Sequence, residues 1–486
     1  MVSAVSRLHY NPKEYQPLGT EHIREHKRCA LWSSMGSGKG VMTLTALSEL
    51  EFTEDVFPAL ALGPKRVARD VWPTECDKWE HLKHLHCVPV IGNPEQRRHA
   101  LSIDSPIYSV NYENVPWLVE HYGERWPFKT VIADEARKLH GFRGGYRTHP
   151  KTGKVYLQGA GGARSRALGT VTHHGRIERF IELTGAPAPA GLQGLWGQLW
   201  YLDAGERLGR TYEGFTQRFF RSSYDGFGLE PLAGAEAEIH ERIKDICLTI
   251  DVADYWDLKE PIVNNIYVDL PPAAMALYRD MEKHMFAEFE GRTVEAFGAA
   301  ARTQKCLQFA NGAVYVDPAA DSDSHPSSKE WRVVHEAKME ALDSCIEEAN
   351  GAPMLIAYTF RSDLARIMKA YPGAVDMSTQ KGERAFKAGE VQLGVCHPAS
   401  LGHGVDELQN VCNITTHFGH DWSEDNYSQL NARTGEIRQQ QAGFDRPVYV
   451  NHILARNTLD EDVLARRGTR RTVQETLLNA AKRRKA

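Results

Sequence analysis

The stretch CALWSSMGSGKGVMTLTALSEL, residues 29–50, decides the fold. It opens with a short apolar run typical of a buried strand, continues with a glycine-containing loop, and ends with a helix-prone apolar run. Glycines let such a loop curl so that its backbone N–H groups point to one place, where the following helix N-terminus adds partial positive charge. This order predicts a phosphate-binding loop, whose contacts would be Gly36, Ser37, Gly38, Lys39 and Gly40.

Residue 40 departs from the pattern of such loops. The pattern asks for Ser or Thr directly after the lysine, because that hydroxyl normally holds the Mg²⁺ of a bound nucleotide. Here Gly40 follows Lys39, and the nearby hydroxyls of Ser37 and Thr43 do not stand at the matching position. The sequence therefore predicts nucleotide binding and leaves two alternatives for hydrolysis, which is either retained, at a reduced rate, or lost.

Composition and length set the broad class. The chain has 486 residues, of which 42% are hydrophobic and 25% charged, so we expect a globular protein of about two or three domains. No run of about 18 apolar residues occurs, and the N-terminus lacks the apolar stretch of a secretion signal. These features predict a cytoplasmic protein without a membrane partner. The eight cysteines form no CxxC pair, which favours buried, reduced thiols over a zinc module or a disulfide framework.

Positive charge is concentrated in one segment. Residues 137–179 contain ten Lys or Arg and a single acid, Glu178, on a chain whose net charge is −5. A basic segment on an acidic body can direct a polyanion such as nucleic acid to one place. The alternative is a solvated loop rich in Arg and Gly.

Strand-like and helix-like runs alternate along the chain, which predicts an α/β fold with parallel sheets flanked by helices. A first series of strands begins near residues 29, 58, 106, 129 and 180, and a second near residues 353, 391, 411 and 447. We therefore expect one sheet unit in residues 1–204 and another in 346–486. Residues 205–345 are expected to be a mainly helical insertion between them.

An acidic pair ends one of the predicted strands. In KTVIADEARKL, residues 129–139, Asp134 and Glu135 stand where a parallel sheet places its ligand crevice. Such a pair can hold Mg²⁺, usually through water, while the glutamate orients or deprotonates the water that attacks the γ-phosphate. An isolated acidic pair more often caps the next helix. Its position about 95 residues after the glycine loop favours the catalytic interpretation.

Seven segments together resemble the motifs of superfamily-two helicases, in order and over nearly the whole chain. They are YQPLGTEHI (15–23), MGSGK (35–39), GPKRVARDVWPTECDKW (63–79), VIADEA (131–136), LTGAPAPAGLQGLWGQLWYLD (183–203), HPASLGHGVDELQ (397–409) and NARTGEIRQQQAG (431–443). The chain is most similar to the Swi/Snf-type DNA-dependent ATPases, and among these to the compact versions carried by tailed bacteriophages. The resemblance implies two RecA-like lobes that bind ATP and Mg²⁺ in the cleft between them and DNA across their tops.

The resemblance also implies roles for single residues. Gln16 matches the glutamine that reads adenine, while Asp134 and Glu135 match the residues that serve metal and water. Gln429, just before the last motif, would lie near the nucleotide. Within that motif, Arg433 and Arg438 match arginines that reach the γ-phosphate from the second lobe. The DNA contacts would come from the motif at 397–409 and from a basic insertion at about 141–168. They are His397, Ser400, His403, Gly404, Arg143, Arg147, Lys151, Lys154, Arg164 and Arg166.

Four positions depart from the family pattern. Gly40 and Ala186 each stand where the family has Thr or Ser, and Ala190 stands where the family has Asn. Arg137 replaces a polar residue beside the acidic pair. We expect an ATP-dependent translocase or helicase-like remodeller of duplex or branched DNA, independent of DNA sequence, in the cytoplasm of a bacterial host. The alternative is a nucleotide-binding DNA scaffold whose catalysis is weakened or lost.

Overall fold

The computed structural model describes residues 7–153, 155–173, 175, 177–185, 187, 191–222, 229–256, 258–287, 296–315, 330–401 and 405–467. Several residues singled out above lie outside these ranges: Lys154, Ala186, Ala190, His403 and Gly404. Residues 468–486 also lie outside them; they are most of the basic segment 465–486, which the sequence predicts to be either a C-terminal helix or a solvated tail. The described chain divides into two compact units, one ending at residue 256 and the other beginning at Leu258. Each unit is described by itself below.

The first unit is built from eleven strands and nine α-helices within the described residues. The strands are β1 (Arg28–Ser33), β2 (Ala59–Gly63), β3 (Cys87–Pro89), β4 (Ile107–Asn111), β5 (Thr130–Asp134), β6 (Gly145–Thr148), β7 (Val155–Gln158), β8 (Arg179–Thr184), β9 (Phe220–Ser222), β10 (Leu229–Pro231) and β11 (Cys247–Ile250). The helices are α1 (Gln16–Glu25), α2 (Lys39–Leu50), α3 (Trp72–Lys78), α4 (Pro94–Ser102), α5 (Val115–Tyr122), α6 (Ala163–Thr172), α7 (Gln193–Asp203), α8 (Tyr212–Phe219) and α9 (Ala235–Ile243).

Seven of these strands form one parallel sheet in the order β11-β1-β8-β5-β2-β4-β3. Strands β2, β4 and β8 are buried along their whole length, as expected for a sheet covered by helices on both faces. Aromatic side chains dominate the core, and Trp32, Phe142, Phe180, Trp196 and Trp200 are all almost fully buried in it. This packing holds the carboxyl ends of β1, β8 and β5 side by side at one edge.

A hairpin interrupts the first unit between β5 and α6. Strands β6 and β7 pair antiparallel, from Gly145 opposite Gln158 to Thr148 opposite Val155. Tyr146 anchors it, because its hydroxyl donates to the carbonyl oxygen of Gly169 at 3.2 Å and its ring packs against Trp200. The basic insertion predicted at about 141–168 is thus a hairpin followed by a helix.

Within the described residues, and apart from a helical stretch near its end, the second unit has eight strands and eight α-helices. The strands are β12 (Ile262–Val268), β13 (Ala313–Tyr315), β14 (Trp331–Val333), β15 (Met354–Ala357), β16 (Val375–Asp376), β17 (Leu393–Cys396), β18 (Ile414–His417) and β19 (Tyr449–Ala455). The helices are α10 (Pro272–Ala287), α11 (Ala296–Ala310), α12 (Ala337–Glu348), α13 (Arg361–Ala370), α14 (Gln380–Lys387), α15 (Pro398–Leu401), α16 (Glu424–Thr434) and α17 (Glu436–Gln441). A further helical stretch covers 459–467.

Six strands of this unit form a second parallel sheet in the order β12-β19-β18-β15-β17-β16. A buried ion pair fastens α12 to the stretch 459–467, since the Lys338 ammonium lies 2.6 Å from the Asp460 carboxylate and both side chains are fully buried. Lys338 also donates to the side-chain oxygen of Asn311 and to the carbonyl oxygen of Phe418. These bonds satisfy the buried charge, without which its burial would be costly.

The predicted fold class is confirmed, because two parallel sheets flanked by helices follow one another along the chain. Every predicted strand run is a strand of one of these sheets. The boundary between the units falls at residue 257, so the region expected as a separate insertion, 205–345, is divided between them. Among the described helices, none combines the length and apolar character that crossing a membrane requires.

Candidate nucleotide-binding site

The glycine loop lies between β1 and α2, as the sequence predicts. Gly36 and Gly38 have φ angles of 84° and 88°, a region that side chains other than glycine rarely adopt. A Cβ atom on Gly38 would also come within 2.4 Å of the Gln16 side-chain nitrogen. Glycine is therefore required at position 38 by both the backbone conformation and the close approach of Gln16.

Lys39 is the first residue of α2, and its side chain turns toward the loop. The ammonium donates to the carbonyl oxygen of Ser33 at 2.7 Å and to that of Ser34 at 3.1 Å. The positive charge thus stands over the loop whose N–H groups would receive a phosphate. This is the position from which a lysine can reach the outer phosphates of a nucleotide.

Gln16 connects the N-terminal segment to the glycine loop. Its side-chain nitrogen donates to the carbonyl oxygen of Ser37 at 3.0 Å, and its side-chain oxygen accepts from the Lys13 N–H and the Tyr10 hydroxyl. Gln16 is nearly fully buried. The isolated residue could have been an exposed polar side chain, whereas the structure places it against the predicted loop.

The acidic pair lies at the carboxyl end of β5, at the same edge of the sheet as the glycine loop. The pKa of Asp134 is raised to about 7, mainly by burial and secondly by the neighbouring Glu135 carboxylate. The Lys39 ammonium acts in the opposite direction, which shows that loop and acidic pair share one electrostatic environment. Glu135 has φ 58°, a strained conformation for a residue with a side chain and one that is concentrated at functional sites.

Arg137 is almost fully buried beside this pair. Its Nε lies 3.1 Å from a carboxylate oxygen of Glu135. The DEAR sequence therefore places a permanent cation directly on the predicted catalytic carboxylate, an ion pair that the sequence only suggested by proximity.

Strand β8, which lies between β1 and β5 in the sheet, brings a third segment of the chain to the same edge. Gly185 follows β8, and a Cβ atom there would lie 3.2 Å from the Met35 side chain and 3.3 Å from the Ser33 carbonyl oxygen. The motif-like segment at 183–203 therefore contacts the glycine loop where it leaves β8.

The second unit brings its two predicted motifs together. Arg433 Nη1 donates to the Val405 carbonyl oxygen at 2.9 Å, and the Arg438 guanidinium pairs with the Asp406 carboxylate. Gln429, on the same helix as Arg433, is nearly fully buried. The arginine motif is therefore fastened to the segment that directly follows the predicted DNA loop.

The predicted DNA residues fall into two groups. Arg147, Lys151 and Arg166 are exposed on the hairpin and on α6. Arg143 instead donates to the carbonyl oxygens of His140 and Phe142, and its guanidinium lies 3.8 Å from the centre of the Tyr212 ring. Arg164 lies 3.5 Å from the Glu113 carboxylate. The first group presents its charge to solvent, whereas Arg143 also has a clear packing role.

In the second unit the residues of the other predicted DNA loop contact one another. The Ser400 hydroxyl donates to the His397 carbonyl oxygen at 2.8 Å, and the His397 ring accepts from the Ala399 N–H at 3.2 Å. These contacts shape the turn into α15.

The described residues do not include a preformed cluster of metal-binding side chains. Within the described residues no three His, Cys, Asp or Glu side chains are placed to hold a metal ion together.

Comparison with known proteins finds a relative that is similar over nearly the whole of both chains, and a set of distantly similar solved structures. No family model matches the chain. It is 40% identical over 481 residues to protein p41 of Acyrthosiphon pisum secondary endosymbiont phage 1, which covers 98% of this chain and 99% of that protein.

Among solved structures, the Sulfolobus solfataricus SWI2/SNF2 ATPase core in complex with dsDNA is 20% identical, with a TM-score of 0.42 over 97% of this chain and 93% of that chain. The core domain alone is 19% identical, with a TM-score of 0.39 over 96% and 89%. These sequence identities and TM-scores are too low to assign a function to this chain.

The phage relative is similar enough, over enough of both proteins, to establish kinship. The motifs and their order come from the sequence, and the two parallel sheets come from the structure. The chain therefore belongs to the same family as phage protein p41, and its own motif order resembles that of the Swi/Snf-type helicase-like proteins.

Proposed function

We propose that this protein is a DNA-dependent ATPase that couples ATP hydrolysis to movement on duplex DNA, as a translocase or remodeller in a bacterial host's cytoplasm. One observation carries the proposal: the glycine loop with Lys39 and the acidic pair with Asp134 lie at one edge of one parallel sheet, close enough for their charges to interact. Ligands of parallel α/β sheets bind at this edge.

The described residues fit a nucleotide and Mg²⁺. Gly36 and Gly38 give the loop its positive-φ turn, Lys39 stands over it, and Gln16, bonded to the Ser37 carbonyl oxygen, would read the base. Asp134 would hold the metal through water. When bound, Mg²⁺ would neutralise charge on the phosphates and help to orient them for attack.

Three charged side chains would carry the chemistry. Glu135 would orient the attacking water and accept its proton, and the Arg137 guanidinium fixes the position of that carboxylate. From the second unit, Arg433 and Arg438 would neutralise the charge that grows on the leaving phosphates, because a planar guanidinium can form two parallel hydrogen bonds. Hydrolysis would move the segment at 405–406, to which both arginines are attached.

DNA would be held through its phosphates. Arg147, Lys151 and Arg166 present exposed positive charge, and the loop at His397 and Ser400 would add contacts from the second unit. Binding of this kind is largely independent of sequence and weakens as salt rises.

The test is phosphate release with and without duplex, single-stranded and branched DNA. We expect DNA to stimulate release, and Lys39→Ala to lower the stimulated rate by about 100-fold or more, since it removes charge from the developing transition state. Lys369→Ala, an exposed lysine of α13, is the matched control and should release phosphate at the unaltered rate. Equal rates in the unaltered protein and the Lys39 variant would refute the proposal.

A second function, a DNA scaffold that binds ATP without turning it over, is favoured by Gly40 and by the buried Arg137–Glu135 pair. The same assay separates the two. Tight binding of ATP and DNA with no turnover supports the scaffold, whereas turnover that is lost in both Arg433→Lys and Arg438→Lys supports the motor. Arg384→Lys, exposed on α14, is their control.

A further inference from the structure

The space beside Gly40 is filled by another residue. A Cβ atom at position 40 would lie 3.3 Å from Cγ and 3.8 Å from Cδ of Glu75. Gly40 lies in α2 with an ordinary helical backbone, so its conformation does not require glycine. The missing side chain therefore coincides with the approach of a carboxylate from α3.

Glu75 is held in this place by its own helix. One carboxylate oxygen accepts from the Trp79 indole N–H at 2.8 Å. Trp72, one turn earlier, is buried in the first unit and fixes the helix. The second carboxylate oxygen makes no hydrogen bond within the described chain, so it remains available to a ligand.

The charge of Glu75 reaches the surroundings of the predicted nucleotide. The pKa of Tyr10 is raised to about 12, mainly by burial and to a smaller extent by the charges of Tyr15 and then Glu75. The Tyr10 hydroxyl donates to Gln16, which in turn bonds the glycine loop. Glu75 thus lies beside the start of α2 and within electrostatic reach of the residues that surround the loop.

We propose that a carboxylate oxygen of Glu75 faces the Mg²⁺ of the bound nucleotide and takes the place of the hydroxyl that position 40 lacks. The inference rests on the proposed nucleotide site. A carboxylate is a ligand that Mg²⁺ prefers, either directly or through a water. Unlike a hydroxyl it is negatively charged, so without the metal it repels the phosphates, and with the metal it attracts the complex.

This difference in charge gives the proposal a signature in binding. We expect Glu75→Gln to bind a non-hydrolysable ATP analogue more tightly than the unaltered protein when Mg²⁺ is absent, and more weakly when it is present. The ratio of the two affinities should fall by about 10 to 100-fold, as for other changes around a metal. Glutamine can still accept the Trp79 hydrogen bond, so the fold should persist.

The measurement is titration calorimetry of the full chain with the analogue, in EDTA and in saturating Mg²⁺. Asp77→Asn is the matched control: it removes one negative charge from the same helix, at an exposed side chain paired with Arg7. We expect its affinity ratio to stay within about twofold of the unaltered value, since an exposed pair contributes little. Manganese affinity of the analogue complex, followed by electron paramagnetic resonance, should fall in the Glu75 variant only.

A double-mutant cycle tests whether positions 40 and 75 act as a pair. Gly40→Thr alone should not strengthen Mg²⁺-dependent binding, because the new side chain meets Glu75. Gly40→Thr combined with Glu75→Ala should recover the Mg²⁺ dependence that Glu75→Ala loses. Additive effects would overturn the pairing.

The outcomes separate this inference from the proposed function. If the analogue binds and Glu75→Gln leaves the affinity ratio unchanged, Glu75 has no role toward the metal while the nucleotide site stands. If the unaltered protein binds no analogue under either condition, both fail.

Discussion

At the scale of single residues, the predicted catalytic groups stand among buried charges that the sequence did not reveal. Glu182 is the clearest case. It lies in the middle of β8 between Ala30 of β1 and Ala133 of β5, and it is fully buried. Neither of its carboxylate oxygens has a hydrogen-bond partner in the described chain. Burial raises the pKa of Glu182 well above its usual value, because removing a carboxylate from water disfavours its charged form.

We predict that Glu182→Met stabilises the first unit. At pH 7 the unfolded chain ionises this carboxyl, whereas burial in the folded chain disfavours the charged form and leaves the carboxyl without hydrogen bonds. The free energy of unfolding should rise by about 1–3 kcal/mol. The gain should shrink as the pH falls toward 4.5, where the unfolded carboxyl also becomes protonated.

Urea unfolding followed by tryptophan fluorescence measures this change, because eight of the ten tryptophans lie in residues 32–256. Glu120→Met, at an exposed position of α5, is the control and should leave the midpoint nearly unchanged. A loss of stability in the Glu182 variant would show that its carboxyl has a bonding role.

Residue-level prediction succeeded where the signal was local. Glycines 36 and 38 could be placed because their turn is read from neighbouring residues, and the structure gives both a positive φ. Glu75 beside Gly40 and Arg143 on Tyr212 join residues 35 and 69 positions apart, and no local pattern encodes such pairs.

At the scale of elements, strands were predicted where continuous apolar runs fill the middle of a sheet. Strands β11 and β12 were missed: each has a sheet neighbour on one side only, and the first four residues of β12 are exposed, so β12 does not show the burial pattern of a central strand. Both lie at sheet edges and inside the region expected to be helical.

The hairpin β6–β7 and α6 form the element that we expect to hold DNA. Replacing Arg147, Lys151 and Arg166 together by alanine should weaken binding to a labelled duplex. The slope of log affinity against log salt should also become shallower by up to about 3, since each phosphate contact contributes about 0.9. Fluorescence anisotropy over a series of salt concentrations measures both.

The matched control replaces three exposed basic residues of the second unit, Lys369, Lys381 and Arg384. It changes the net charge of the chain by the same amount, so it separates contact at the hairpin from general electrostatic attraction. Equal slopes in the two triple variants would show that the hairpin is a solvated loop.

At the scale of the whole molecule, burial shifts the pKa of carboxyl groups in the first unit and of histidines in the second unit in opposite directions. In the first, burial raises the pKa of Glu182 and Asp134. In the second, burial lowers the pKa of three neighbouring histidines, His417, His420 and His452, the last to about 4. Their rings bond Asn431, the Ile453 carbonyl oxygen, and Asn265 with Tyr427.

We predict that the second unit loses stability between pH 6.5 and 4. In this range the unfolded histidines bind protons and the buried ones do not, so the free energy of unfolding falls with pH. A shift of the His452 pKa from 6.5 to about 4 corresponds to about 3 kcal/mol. Over the same range the raised pKa values of the first unit act in the opposite sense.

Hydrogen exchange with mass spectrometry, at pH 7 and at pH 5 after correction for intrinsic rates, resolves the two units. Protection in β18 and β19 should fall relative to that in β1 and β8. His452→Gln should weaken the effect, and His99→Gln, at an exposed position of the first unit, should not. A uniform loss of protection in both units would contradict the assignment to buried histidines.

The strand β12 has a consequence for synthesis of the chain. Its neighbour in the sheet is β19, and the paired residues Ile262 and Tyr449 are separated by 187 positions. On the ribosome, the described strands of the first unit are all complete once residue 250 has emerged, while β12 waits for most of the second unit to be made. Until then its exposed Ile262, Val263 and Tyr267 belong to an unpaired edge, the kind of strand that nascent chains pair wrongly and that chaperones shield.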